Sequence, residues 1–327
     1  MGAIRTVIQT LRHLHTQERY LQQMVEPILA QARETNDGSL SDKDFHKINR
    51  YYGLAVPAIL GEAFAALQNR SLTSTERRCL TAQGAMTGLF DDFFDDRYLS
   101  DSSIEALLEA TVIDAGRSNE ALFGHFFREA LQTTPDATHL RKRLNEVHRA
   151  QADSRLQLLA STSLNDIQRI TFDKGGYSLL FYRTGLSPQE TPDEANWLFG
   201  LGAMMQLSND VFDVYKDREA GVRTLITEAT HIPDIRNFFL NTLKPLYREA
   251  SHYGTARSAQ SFLSCITLGI FARTLVCLDQ LAALQTPASP AFQVHHHSRK
   301  QLICDMDTWT NKLKSLRYYR LLMKFSS

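Results

Sequence analysis

Apolar residues recur at threes and fours along most of this chain, the period of helices packed on one face. Residues 2–35 show it first: Ile4, Val7, Ile8, Leu11, Leu14, Leu21, Met24, Val25, Ile28 and Leu29 form one stripe, and Pro27 is expected to kink it. Asn36-Asp37-Gly38 breaks the pattern. Ser41-Asp42-Lys43-Asp44 starts a second segment that runs to about Asn69, with Pro57 as a kink or boundary. Ser74-Thr75-Glu76 opens a third. Further helices are expected at 101–115, 118–132, 136–163, 164–184, 193–217, 233–253, 256–284 and 299–324, with 285–298 as a loop. Gly175-Gly176 costs the helix at 164–184 roughly 1 kcal/mol per glycine, so a break or a close backbone approach is expected there. No strand-like alternation, repeat or low-complexity linker occurs. The pattern predicts an all-α fold: one domain over residues 1–327, a single large bundle of about ten to twelve helices.

Composition narrows the function classes. Lys+Arg and Asp+Glu are both 36, so no net charge draws the chain to nucleic acid. Cys79, Cys265, Cys277 and Cys304 form no CxxC pair, which signals neither a zinc knuckle nor a disulfide framework. Gly2 and Thr6 formally meet the myristoylation pattern, a short motif that recurs by chance. The N-terminus lacks the apolar core of a signal peptide, and no apolar run of membrane-spanning length is read, so no transmembrane segment and a cytoplasmic location are expected. His295-His296-His297 lies in the loop, where consecutive residues do not share a helix face.

Against this even background, acids cluster twice. Asp91-Asp92-Phe93-Phe94-Asp95-Asp96 places four carboxylates in six residues near the end of the third segment. On a helix they fall within a sector of roughly 140°, opposite Phe90, Phe93 and Phe94. Like charges at i, i+4 cost roughly 0.2–0.5 kcal/mol per pair, so a positive partner is required. Farther on, Asn209, Asp213 and Asp217 stand at i, i+4, i+8, within about 80° on a helix, with Gln206 in the same sector. Two oxygen-lined faces fit a hard divalent cation, since Mg²⁺ takes a few carboxylates completed by water and phosphate.

With these motifs the sequence resembles the class I terpene synthases and the related trans-prenyltransferases. Asp91-Asp92-Phe93-Phe94-Asp95 is an intact DDxxD. The run from Asn209 to Asp217 is similar to NDxxSxxKE, matching at Asn209, Asp210 and Lys216, with Asp213 for Ser/Thr and Asp217 for Glu. Arg317-Tyr318 resembles the C-terminal Arg-Tyr pair that contacts diphosphate. The family's diphosphate-sensing Arg falls on Ser163, so the resemblance would pass that task to Arg169 and Lys174, the first basic residues after it.

The resemblance implies a class I isoprenoid synthase fold around a central active-site cavity, and an isoprenoid diphosphate as substrate. It implies about three Mg²⁺ ions held by Asp91, Asp92, Asp95, Asp96, Asn209, Asp213 and Asp217. Asp91 and Asp95 are the favoured direct ligands of the first motif, and Asp91, Asp92, Asn209, Asp213 and Asp217 the expected catalytic set. Arg169, Lys174, Lys216, Arg317 and Tyr318 would bind diphosphate. Phe94, Tyr177, Phe181, Trp197, Met204 and Met205 are cavity candidates by proximity to the motifs, each equally readable as core. A homodimer is left open. The expected reaction is ionisation of the diphosphate and cyclisation of the allylic cation to a terpene hydrocarbon or alcohol. The alternatives are prenyltransferase or squalene/phytoene-synthase-like coupling of two isoprenoid diphosphates, and a non-catalytic helical interaction protein with a vestigial site.

Overall fold

Every regular element among the described residues is helical, and no strand occurs among them, as the 3.6-residue period predicts. The computed structural model describes residues 2–95, 104, 108, 116–285 and 291–326, except for the side chains of Asp91, Asp92, Phe94 and Asp95. The chain divides into two compact units, one of Val7–Ala152 with Phe181–Glu190, the other of Met1–Thr6, Asp153–Leu180 and Thr191–Ser327.

In the first unit the two expected kinks take the form of wide turns. Helix α1 (Ala3–Tyr20) passes through a π turn at Leu21–Val25 into α2 (Glu26–Glu34), which has Pro27 in its first turn. Proline has no N–H for the carbonyl four residues back, here Gln23 inside that π turn. The second segment repeats the device. Helix α3 (Asp42–His46) leads through a π turn at Lys47–Tyr52 to α4 (Gly53–Ala55), then through another at Val56–Gly61, which holds Pro57, to α5 (Glu62–Leu67). Pro57 offers no N–H to the Gly53 carbonyl. The fully buried Gln17 donates to that carbonyl at 2.8 Å and to Thr81 Oγ1 at 2.9 Å.

Helix α6 (Ser74–Asp95) is the axis of this unit. It packs on α7 (Ser118–Thr133), where Phe90 and Phe93, both buried, meet the Phe123 ring at 5.9 and 5.4 Å. The 181–190 segment is pinned to it: Gln83 donates to the Phe181 carbonyl at 2.8 Å, and Tyr182 donates to Thr87 at 3.0 Å. The helix expected at 136–163 is shorter. It is α8 (Ala137–Asp153), closed by a 3₁₀ turn at Ser154–Leu158, with Thr162 donating to the Leu156 carbonyl where the chain turns. The helix expected at 101–115 lies outside the described residues, apart from Ile104 and Leu108, which are helical and buried.

The second unit holds α9 (Leu164–Arg183, through Leu180), α10 (Pro192–Phe212), α11 (Val214–Glu219) and α12 (Ile232–Glu249). It continues with α13 (Ala256–Ile266), a π turn at Thr267–Phe271, α14 (Ala272–Ala282), α15 (Arg299–Leu302) and α16 (Trp309–Leu322). Threonines cap three of these helices: Thr191, Thr255 and Thr308 accept from the N–H three residues on, which satisfies an otherwise orphaned donor. The helix expected at 299–324 is broken after Leu302 and restarts at Trp309, because Thr308 caps a new start. The run Ala256–Ala282 is, by length and composition, apolar enough to cross a membrane, contrary to the sequence reading, but 72 % of its most apolar window is buried inside the protein, as in a core helix.

Candidate metal and diphosphate site

The second acid cluster is built where α9 meets α10. Helix α9 runs unbroken through Gly175-Gly176, so close approach, not a break, explains the glycines. A Cβ on Gly175 would lie 2.1 Å from the Gly202 carbonyl oxygen, and one on Gly202 would lie 2.3 Å from the Gly175 oxygen. A Cβ on Gly176 would meet the Phe199 ring at 2.3 Å. The pairing of 175 with 202 and of 171 with 210 makes the two helices antiparallel. Backbone contact at the crossing brings Thr171 of α9 to Asp210 of α10, where its hydroxyl donates to Oδ2 at 3.1 Å. Gln206 donates to the other oxygen of Asp210 at 2.9 Å.

Sequence periodicity predicts one helix over 193–217. The structure divides it at Asp213, which ends α10 and caps α11 with φ −94° and ψ 8°. The i, i+4, i+8 relation survives the division. The Asp213 N–H donates to the Asn209 carbonyl at 2.8 Å, and the Asp217 N–H to the Asp213 carbonyl at 2.9 Å. Asn209 Nδ2 approaches Asp213 Oδ2 at 3.5 Å, leaving its amide oxygen as an acceptor.

This group is electrostatically uncompensated. Burial pushes the Asp210 carboxyl up to about 6, against the pull of Gln206, Lys174 and Thr171. Burial, then repulsion from Asp210 and Asp213, pushes Asp217 up to about 7, although Lys216 and Lys174 oppose it. Burial raises Asp213 as well. Burial is the largest cause in all three, and Lys174 and Lys216 oppose it only in part. Asp210, with both oxygens engaged by Thr171 and Gln206, is the member of this acid group that sequence reasoning left out of the site. A signal was present, since on a helical projection it falls about 20° from Asp217; its partner Thr171, on another helix, carried none.

The other predicted residues are distributed as follows. Asp91, Asp92 and Asp95 lie on the helical backbone of α6, and their side chains, with Phe94, lie outside the described residues, as does Asp96 entirely. Lys174 is half-buried, and its charge acts on both Asp210 and Asp217. Arg169 is engaged elsewhere, by Asp153 at 3.0 Å and Asp173 at 3.2 Å. Tyr318 donates to Asp279 and lies under the Arg236 guanidinium at 5.7 Å, while Arg317 is exposed. Trp197 is a core residue: its indole N–H donates to the Leu246 carbonyl at 2.8 Å, and its ring stacks on Tyr253 at 4.7 Å. Met204 is buried and Met205 half-buried on α10. Tyr177 meets Phe199 edge-on at 5.2 Å, and Phe181 is buried against Tyr182 in the first unit. A groove of about 640 Å³ lined by Trp197, Tyr253, Asp193 and Glu249 opens near the start of α10. Trp197 and Asn209 are about 18 Å apart along the helix at 1.5 Å per residue, so this groove is not the acid cluster.

Arg218, one residue after Asp217, is half-buried. It donates to the carbonyls of Val294 and His297 at 3.2 and 2.5 Å and lies over the Tyr215 ring at 4.8 Å. It thereby holds the histidine-bearing loop against α11.

Among the described residues no group of three or more His, Cys, Asp or Glu side chains is arranged to hold a metal ion by itself. Magnesium does not need one. It keeps several waters and takes one or two carboxylates plus phosphate, and the oxygen-only donors Asn209, Asp213 and Asp217 with raised carboxyl pKa values suit it. No protein-family model, curated protein or solved structure matches the chain.

Proposed function

We propose that this protein is a Mg²⁺-dependent class I terpene synthase that ionises a linear isoprenoid diphosphate and cyclises the resulting allylic cation. The observation that carries the reading is the acid group at the α10–α11 bend, where burial and mutual repulsion outweigh Lys174 and Lys216. Bound Mg²⁺ would hold these buried carboxyls in their ionised form.

In this reading Asn209, Asp213 and Asp217 would hold Mg²⁺, and Asp91, Asp92 and Asp95 are the Mg²⁺ ligands that the family resemblance implies for the first motif. The bound metal supplies Lewis acidity to the diphosphate oxygens and stabilises charge on the leaving group. Lys174 and Lys216 add hydrogen bonds and positive charge to the same oxygens. Asp210 acts as a positioning residue. Held between Thr171 and Gln206, it fixes the last turn of α10 and so the direction of Asn209. Tyr318, engaged by Asp279, is not needed for this part of the reading.

Asn209→Ala tests the assignment. It should lower turnover of an isoprenoid diphosphate by at least about a hundredfold, the scale of losing one well-placed charge-stabilising group, with an unchanged helical circular dichroism spectrum. Wild-type turnover in that variant would remove the site from the mechanism.

A further inference from the structure

Helix α16 is covered on one side. Ser315, Tyr319 and Leu322 are buried, and Leu316, Tyr318 and Met323 pack around Tyr319 and Ala272 of α14. The Tyr319 hydroxyl donates to Ser264 at 3.1 Å and lies 3.0 Å from Thr6 Oγ1, which fixes how the helix is turned. The other side carries large apolar residues outward: Trp309 is 81 % exposed, Leu313 65 % and Leu321 41 %. Lys314, Arg317 and Arg320 are exposed among them. At 100° per residue these side chains fall within about 140°, opposite the buried row.

The charge of this stretch departs from that of the whole chain. Lys+Arg and Asp+Glu balance at 36 each overall, yet residues 309–324 include Lys312, Lys314, Arg317, Arg320 and Lys324 and no Asp or Glu. Lys312 pairs with Asp307 at 3.5 Å and holds its ammonium 5.7 Å from the centre of the Trp309 ring. Among the described residues no carboxylate pairs with Lys314, Arg317 or Arg320.

We propose that this face docks the protein on a bilayer surface that carries anionic phospholipid. The helix would lie flat on it, about 21 Å long at 1.5 Å per residue. Trp309, Leu313 and Leu321 would enter the boundary between headgroups and acyl chains, and the lysines and arginines would meet the anionic headgroups. An indole suits that boundary, with an apolar ring and a polar N–H. A nucleic acid would also match the cations, but Leu313 and Leu321 have no ring to stack on bases. They gain by leaving water for lipid. This inference goes beyond the terpene synthase reading and does not depend on it.

The test is sedimentation of the full-length protein with phosphatidylcholine vesicles, with and without phosphatidylserine. Binding is expected where phosphatidylserine is present and not without it, and should weaken as salt is raised. Of the two tryptophans, Trp309 stands in water and Trp197 is buried, so binding should shift the tryptophan emission to the blue. Lys314→Gln with Arg320→Gln should weaken partitioning at least about tenfold, the scale of losing two cations at an anionic surface. Trp309→Ser with Leu313→Ser should also weaken it, and both variants should keep the wild-type circular dichroism spectrum. Absence of binding to phosphatidylserine vesicles, equal binding to both vesicles, binding without the emission shift, or binding that both variants leave unchanged overturns the proposal. Capture by a single-stranded oligonucleotide with none by vesicles would assign the face to nucleic acid. A dimer in light scattering that Trp309→Ser with Leu313→Ser abolishes would assign it to a second copy of the chain. Either result overturns the proposal as well. The wild-type emission shift decides even where a variant fails to fold.

Discussion

Burial, then the nearby charges of Asp210 and Asp213, lifts the Asp217 carboxyl out of the usual carboxylate range, to about 7. Its unfolded value is near 3.9. The folded state therefore binds more protons than the unfolded one between about pH 4 and 7, so the metal-free protein loses stability as pH rises through that window. Asp210, at about 6, acts in the same direction. A divalent ion requires the carboxylate forms, so its stabilising effect should run oppositely. The rise in Tm on adding Mg²⁺ is expected to be larger at pH 8 than at pH 5.5. An equal or larger rise at pH 5.5 would disconnect these acids from metal. The spacing of Asn209, Asp213 and Asp217 was legible in the sequence because i, i+4, i+8 is a local relation. The depth of Asp210 and its bond to Thr171 were not, because they depend on which residues of a second helix arrive there.

Helical periodicity located most elements but could not register their irregularities. A π turn adds one residue without disturbing an apolar stripe enough to be noticed, so Pro27 and Pro57 marked only where something must give. The repair at Pro57 comes from a distant element: Gln17 of α1 donates to the Gly53 carbonyl. Gln17→Ala leaves buried polar groups unpaired and should cost about 2–3 kcal/mol in urea unfolding; a loss below about 0.5 kcal/mol, the range of an ordinary surface substitution, would show that Gln17 repairs nothing. At Gly175-Gly176 the sequence allowed either a break or close approach, and the unbroken α9 decides for approach. Gly202→Ala would drive a Cβ to 2.3 Å from the Gly175 oxygen. It should destabilise by about 3 kcal/mol and weaken Mg²⁺ binding, since the same crossing seats Asp210. Calorimetry showing native Mg²⁺ affinity in a folded Gly202→Ala protein would separate the crossing from the site. The division at Asp213 escaped the pattern because its N–H keeps the helical bond to Asn209.

For the whole molecule, the all-α class followed directly from the period of the apolar residues, because helix is the one element that such a stripe can bury. The functional reading has a different basis. Asp91-Asp92-Phe93-Phe94-Asp95 lies on α6 of one unit, and the run from Asn209 to Asp217 on α10 and α11 of the other. The burial of Phe90 and Phe93 against Phe123 agrees with the apolar side assigned to the first motif. The proposal that both motifs serve one diphosphate chemistry makes a demand on turnover that no single residue makes. The most direct measurement is incubation of the protein with one isoprenoid diphosphate at a time, of increasing chain length, with and without Mg²⁺, with the organic products read by mass spectrometry. The account predicts that at least one substrate, alone, gives a cyclic hydrocarbon or alcohol and free diphosphate only when Mg²⁺ is present. Turnover that requires a second isoprenoid substrate, or no turnover with any of them, would contradict it.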